Sequence, residues 1–233
     1  MDERSILAGP NKFEPIRNAS ACAPLTEISP AAPGDGAATL GFAFAWAQAA
    51  SQSGLVLWAA SEADHAEGGA PHAEGLAQLG LTLNRVLMVR TRTQAEALWA
   101  TEQALRVPQA IALCTISPAK KTLSLTTTRR LLLAAEKHNT RCILLRRDAA
   151  GASAAWTRWR ISAAPSQGAA HELGPPAFLA HLDRNRAGPT GLSWTLHWHS
   201  HEHVFRSSEN TLASAVAAAF SDRSAAPRQR RAI

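Results

Sequence analysis

Residues 27–43 read EISPAAPGDGAATLGFA. An apolar run ends at Pro30, a loop of Pro, Gly and Ala follows, and a helical pattern starts near Ala37. Strand, small-residue loop, then helix is the layout of a phosphate-binding loop, whose pattern is G-x-x-x-x-G-K-[ST]. With Gly36 as the second glycine, Ala31 stands at the first, Ala37 at the lysine and Ala38 at the hydroxyl. The lysine neutralises the β and γ phosphates and the hydroxyl holds Mg²⁺, so the shape is present without the chemistry. Backbone N–H groups at the helix start leave room for weak nucleotide binding at most.

Outward from this loop the pattern repeats. Leu55–Ala59 (LVLWA), Arg85–Val89, Ile111–Cys114 and Arg141–Leu145 are compact apolar strands, and residues 24–29 are another. Short apolar strands alternating with helices imply a parallel α/β sheet. The first helix runs from about Ala37 to Ser51, with Leu40, Phe44 and Ala47 on one side. Residues 61–71 read as loop, turning helical near His72. Thr93 and Glu96 have capping-box spacing, and the helix they open should run to Arg106 with Leu98, Thr101 and Leu105 on one face. Leu125–His138 is a helix facing the sheet with Leu131, Leu132 and Ala135.

After Arg147 the pattern changes. Trp156–Ala163 (WTRWRISA), if extended, puts Trp159 and Ile161 on one face and Arg158 and Arg160 on the other. Phe178–Arg186 and Leu192–Trp198 flank the turn AGPTG, an antiparallel hairpin at the sheet edge. The expected domains are a flexible arm over 1–23, an α/β domain over 24–206, and a short helix with a basic disordered tail over 207–233.

The chain has 233 residues, 46% of them hydrophobic, which suits one sizeable core. No stretch reaches the roughly 18 apolar residues of a membrane span, and no secretory leader is expected. Cys22, Cys114 and Cys142 are scattered, as in a reduced, intracellular protein, and the latter two should be buried thiols. Residues 1–120 carry 8 Lys+Arg against 11 Asp+Glu, and residues 121–233 carry 16 against 7. The halves are therefore −3 and +9, and the basic half should face DNA, RNA or an acidic protein.

No G-x-S-x-G elbow or other nucleophilic arrangement is present. Glu62 and Asp64 follow LVLWA, and Thr115 follows AIALC where a metal-binding Asp would stand. His197, His199, His201 and His203 would share one face of an extended strand and hold a metal, or else fray into solvent. Arg146 and Arg147 end a central strand, the usual place of sites in such sheets. With Trp156, Arg158, Arg160, Arg184 and Arg186 they form the candidate DNA or partner surface, since basic groups among aromatics suit single-stranded DNA. Trp99 is a candidate partner contact, or else a cover for the sheet edge.

Several segments in order carry a family resemblance: GLAQLGLTLNRVLMVRTRTQAEALWATEQALR, TTTRRLLLAAEKHNTRCILLRR, TRWRISAAPS and LDRNRAGPTGLSWTLHW. Together they resemble the bacterial inducible mutagenesis protein A family, ImuA, itself similar to the core of RecA recombinase. Leu98, Trp99, Glu102, Ala104 and Leu105 match its L-W-x-x-E-x-A-L helix, and Arg129 to Glu136 its R-R-L-x-L-A-A-E helix. Arg158, Trp159 and Arg160 match its R-W-R strand. Arg184, Asn185 and Arg186 resemble the basic K-N-K turn of recombinases.

The resemblance implies a RecA-like fold: a mainly parallel sheet, helices on both faces and a C-terminal antiparallel hairpin. It implies a non-catalytic adaptor in SOS-induced, error-prone translesion synthesis, cytoplasmic and nucleoid-associated on DNA damage. The partners implied are a Y-family-like mutagenesis protein and an error-prone replicative-type DNA polymerase, with single-stranded DNA and RecA recombinase as further candidates. No cofactor, metal or membrane is expected. The alternatives are a cell-division inhibitor acting on the tubulin-like division protein, and a weakly active DNA-dependent ATPase.

Overall fold

The computed structural model describes residues 23–117, 123–147, 151–166 and 174–207. Most of the expected N-terminal arm, Cys22, the helix expected over 210–220 and the basic tail lie outside the described residues.

The chain runs β1 (Leu25–Pro30), a 3-10 turn (Pro33–Asp35), α1 (Gly36–Ala50), β2 (Val56–Ser61), α2 (Glu62–Gly68) and α3 (Ala73–Gln78). It continues through β3 (Val86–Thr91), α4 (Gln94–Ala104), β4 (Ile111–Ile116), α5 (Leu125–His138) and β5 (Arg141–Arg146). β6 (Thr157–Ala163), β7 (Ala177–Asn185), β8 (Leu192–His199) and β9 (Val204–Ser207) complete it. Among the described residues the strands form one nine-stranded sheet, ordered β3-β2-β4-β5-β1-β6-β7-β8-β9. Pairing is parallel from β3 to β6 and antiparallel from β6 to β9. This is the expected mixed α/β fold with an antiparallel C-terminal extension. β9 was not expected and lengthens the hairpin to three strands.

Alternation along the strands splits the core between the two faces. On one face α1 packs with Ile28, Trp58, Leu113 and Ile143. An aromatic group joins them: Phe42 stacks on Trp46 with centroids 5.5 Å apart, and Trp46 meets Trp159 at 5.5 Å. Phe178 and Phe205 close it from β7 and β9. The stripe expected on α1 needs correcting, since Phe42 to Ala47 are all buried and Leu40 only half-buried. Alanine fits on either side, so the helix can be enclosed, and the same core takes in Leu76, Leu79 and Leu81. The other face holds α4 and α5 over Leu57, Ala59, Cys114, Cys142 and Leu144. Leu98, Thr101, Leu131, Leu132 and Ala135 are buried as expected. Burying a Leu or Phe side chain contributes about 1.5–3 kcal/mol, and these two layers are where the fold gains most.

Residues 62–68 are helical, against the loop reading. The cause is a second capping box. Asp64 N–H donates to Ser61 Oγ at 3.3 Å, and Ser61 N–H donates to Asp64 Oδ2 at 3.0 Å. Gly69, at φ +73°, ends the helix. Arg85 clasps the end of α1, donating to the carbonyls of Ser51 at 3.0 Å, of Gly54 at 2.7 Å and of Gln52. A Cβ on Gly54 would overlap the carbonyl oxygen of Gln109, so that position needs glycine. The four histidines do not share one strand face. β8 stops at His199, the chain turns, and His203 sits at φ +54° before β9. No helix among the described residues is long and apolar enough to cross a membrane.

Candidate partner and nucleic-acid interface

The loop after β1 is closed by its own carboxylate. Asp35 Oδ2 accepts from the Ala32 N–H at 3.0 Å, and Oδ1 accepts from the Ala163 N–H at 3.1 Å on β6. Two backbone donors beside the phosphate-loop position are thus taken by an internal anion. A Cβ on Gly34 or Gly36 would meet nothing within 4 Å, so neither glycine serves a close backbone approach. Ala31 and Ala37 are exposed and Ala38 is half-buried, and none supplies a charge.

At the ends of β2 and β4 the polar groups serve each other. Asp64, 3% exposed, accepts from the Ser61 hydroxyl at 2.5 Å and from the Ser117 hydroxyl. Trp58 Nε1 donates to Thr115 Oγ1 at 2.9 Å, and His65 lies edge-on to the Trp58 ring at 4.8 Å. Asp64 therefore holds a helix start to a strand end, and Glu62 beside it is exposed.

The basic surface is built around a residue the sequence reading missed. Glu27, in the middle of β1, is 1% exposed. Arg146 Nη1 lies 3.3 Å from its Oε1, and Arg158 Nε lies 2.9 Å from its Oε2. The parallel pairing sets this up: Glu27 stands opposite Arg158 on β6 and opposite Leu144 on β5, two residues before Arg146. Arg158 also donates to the Gly151 carbonyl, and Arg184, opposite Arg158 on β7, donates to the Ser153 carbonyl at 2.9 Å. Two guanidinium groups thus share one carboxylate, with Arg184 next to Arg158 on the neighbouring strand. A carboxylate in the middle of the short strand LTEISP was the available signal.

Arg146 needs a correction. It is 2% exposed and turned onto Glu27, so it is a buried ion-pair partner rather than a surface cation. Arg158 and Arg160 do leave the core face, with Trp159 and Ile161 buried behind them. Arg160 pairs with Asp183 at 2.6 Å, and Arg147 pairs with Glu67 on α2. Arg186 is exposed and stacks over half-buried Trp156, its guanidinium carbon 5.8 Å from the ring centre. So Arg158, Arg184 and Arg186 with Trp156 form one connected surface, while Arg147 is held on α2.

Trp99 is 60% exposed. It lies on the face of α4 opposite buried Ala97, Leu98, Thr101 and Ala104, so it does not cover the sheet edge. Glu102, three residues on, pairs with Arg130 of α5 at 2.8 Å and joins the two helices. Leu133, on the outer face of α5, is also exposed. Cys114 and Cys142 are free and fully buried. Burial pushes the Cys114 thiol up to about 12 and raises that of Cys142 well above its ordinary value. His197 is buried, and burial, then His199, lowers its pKa. Among the described residues no group of three or more His, Cys, Asp or Glu is placed to hold a metal ion.

Comparison with known proteins gives the resemblance independent support. The chain is 35% identical over 158 residues to Protein ImuA of Caulobacter vibrioides, in each of two strains. The match covers 62% of this chain and 61% of the relative, so the chain spans about three-fifths of the length of the curated relatives it matches. The expected similarity to the inducible mutagenesis protein A family is thereby shown over that region. No family model matches. Among solved structures, SulA from Pseudomonas aeruginosa is similar at 22% identity with a TM-score of 0.41, covering 53% of this chain and 98% of that one.

Proposed function

We propose that the chain is a non-catalytic adaptor in damage-induced, error-prone translesion DNA synthesis. It joins a Y-family-like mutagenesis protein to an error-prone replicative-type DNA polymerase, in the cytoplasm and on the nucleoid. The similarity to Protein ImuA points to mutagenesis. The observation that carries the adaptor reading is Trp99, a large aromatic group exposed on a helix whose inner face is fully packed. Exposed aromatic anchors are the residues that dominate protein interfaces. The phosphate loop supports the non-catalytic part, because Asp35 takes its neighbouring donors and no lysine, hydroxyl or metal-binding carboxylate is in place. The Arg158, Arg184, Arg186 and Trp156 surface supports contact with single-stranded DNA, and RecA recombinase is a further candidate partner.

The test is co-purification with the Y-family-like protein, for wild type and Trp99→Ala. Capture by wild type that is lost in the variant, with melting unchanged, supports the reading. Capture of the tubulin-like division protein instead would replace it with division inhibition. A DNA-stimulated ATPase signal from pure protein, abolished by changes in residues 31–38, would remove the non-catalytic claim. Binding to oligothymidylate that does not weaken as salt rises would remove phosphate contact as its mechanism.

A further inference from the structure

The outer face of α4 and α5 has a composition of its own. The inner positions Ala97, Leu98, Thr101 and Ala104 of α4 are buried, as are Thr128, Leu131, Leu132 and Ala135 of α5. At 3.6 residues per turn the opposite stripes are Trp99 and Glu102 on α4, with Arg106 just past its end, and Arg130, Leu133 and Lys137 on α5. Both helices connect parallel strands of the sheet, so they run the same way. The Glu102–Arg130 pair, at 2.8 Å, bridges the two stripes. Trp99 lies three residues before that bridge on one helix, and Leu133 three residues after it on the other. At 1.5 Å of rise per residue, the two apolar groups are offset by about 9 Å along the helix axes.

Two observations set this face apart. All seven tryptophans are among the described residues, and six are buried or half-buried while Trp99 is exposed. Leu133 is exposed as well, so the outer surface holds two large apolar groups that the fold does not use. The second observation is charge. Arg106, Arg129 and Lys137 are exposed and form no ion pair with another described residue. The carboxylates of the two helices are largely engaged: Glu102 holds Arg130, and Glu96 accepts from the Arg92 and Thr93 N–H groups. Glu136 is exposed, so one carboxylate stands against three unengaged cations.

We propose that the outer face of α4 and α5 docks an acidic amphipathic helix of a partner protein. The proposal rests on the adaptor reading of Trp99 and deepens it, by naming the kind of segment that Trp99 meets. An amphipathic helix presents apolar groups at i, i+3, i+4 and i+7, and the i to i+7 span is about 10 Å, close to the offset between Trp99 and Leu133. Acidic residues flanking that stripe would meet Arg106, Arg129 and Lys137, and such rim charges set on-rate and partner choice. Two packed helices expose no backbone ladder, so an extended strand has nothing to pair with here. Leu133 has no ring for a base to stack on, so a nucleic acid would use the charges and Trp99 but leave half of the apolar surface uncovered.

The probe is a labelled synthetic helix of about 18 residues, with leucines on one stripe and glutamates elsewhere, titrated into the full chain by fluorescence anisotropy. A second peptide with lysines in place of the glutamates is the control. The acidic peptide is expected to bind, more weakly as salt rises, and the basic one is not. Trp99→Ala and Leu133→Ser should each weaken binding about tenfold or more, with circular dichroism and melting showing that the variants stay folded. Arg129→Glu combined with Lys137→Glu should remove the preference for the acidic peptide. No binding by the acidic peptide, equal binding by both peptides, or binding that ignores Trp99→Ala overturns the proposal. So does displacement of the acidic peptide by oligothymidylate at equal charge concentration, which would make the face a nucleic-acid surface. The adaptor reading fails separately. Peptide binding without capture of the Y-family-like protein removes the adaptor and keeps the face, whereas capture that needs Trp99 without peptide binding keeps the adaptor and removes the acidic helix.

Discussion

Replacing Glu27 by Gln tests whether the buried carboxylate organises the basic half of the sheet. Gln keeps the shape and one acceptor oxygen but removes the charge that Arg146 and Arg158 share. Removing one partner of a buried ion pair costs about 3–5 kcal/mol. Two features of the site reduce that. The retained amide oxygen preserves about 1 kcal/mol of hydrogen bonding. The Arg158 side chain is 19% exposed and can turn to water, whereas Arg146, at 1%, cannot. The expected loss is then about 2–4 kcal/mol. At about 2–4 °C per kcal/mol for a chain of this size, the melting temperature should fall by about 4–16 °C. Arg158→Met should cost less than half as much, because it leaves the Glu27–Arg146 pair in place. Urea and thermal melts of both single variants and the double variant give the coupling directly. A Glu27→Gln loss within about 0.5 kcal/mol of zero would refute the reasoning and make the cluster incidental to the fold.

Arg85→Ala should lose about 2–3 kcal/mol in urea melts, and Arg85→Lys should recover only part, since an ammonium cannot span the three carbonyls the guanidinium reaches. In a Cys22→Ser background, Cys114 and Cys142 should not react with a thiol reagent until the chain unfolds; fast labelling of the native protein would contradict their burial. The lowered pKa of His197 means the unfolded chain binds more protons, so its contribution is present above the ordinary value of 6.5 and is lost as pH falls below it. Stability of His197→Phe between pH 7 and pH 5 should therefore depend less steeply on pH than wild type, and an unchanged slope would count against it. Trp99→Ala should change stability by less than about 1 kcal/mol, because the side chain is 60% exposed; a large drop in melting temperature would place it in the core after all.

The fold was legible wherever one local rule dominated. Short apolar runs marked β1 to β5, the Thr93–Glu96 box opened α4, and alternation around Trp159 put Arg158 and Arg160 on the outer face of β6. The misses have separate causes. α2 was hidden because Ser61 and Asp64 form the same kind of box in a stretch rich in Gly and Ala, where composition suggested a loop. The burial around α1 was hidden because alanine gives no sign of which side is covered. The histidines were read as one strand face or as a frayed strand end, and the structure shows neither: a turn at Ser200–His203 leads into β9, which pairs back on β8.

The candidate surface was less legible than the fold, for a reason of register. Counting charges assigns +9 to residues 121–233, and that number treats every arginine alike. Parallel pairing of β1 between β5 and β6 brings a carboxylate from the acidic half into the middle of the basic half, and no local pattern announces such a pairing. It converts Arg146 from a surface cation into an interior one and fixes Arg158 at the rim. Asp183 pairs with Arg160 and Glu67 with Arg147, though both arginines stay partly exposed. What remains available to a phosphate is therefore set by which carboxylates lie across the sheet and not by the sum of charges. On that account Arg186 over Trp156 is the place where a nucleic acid would first be felt.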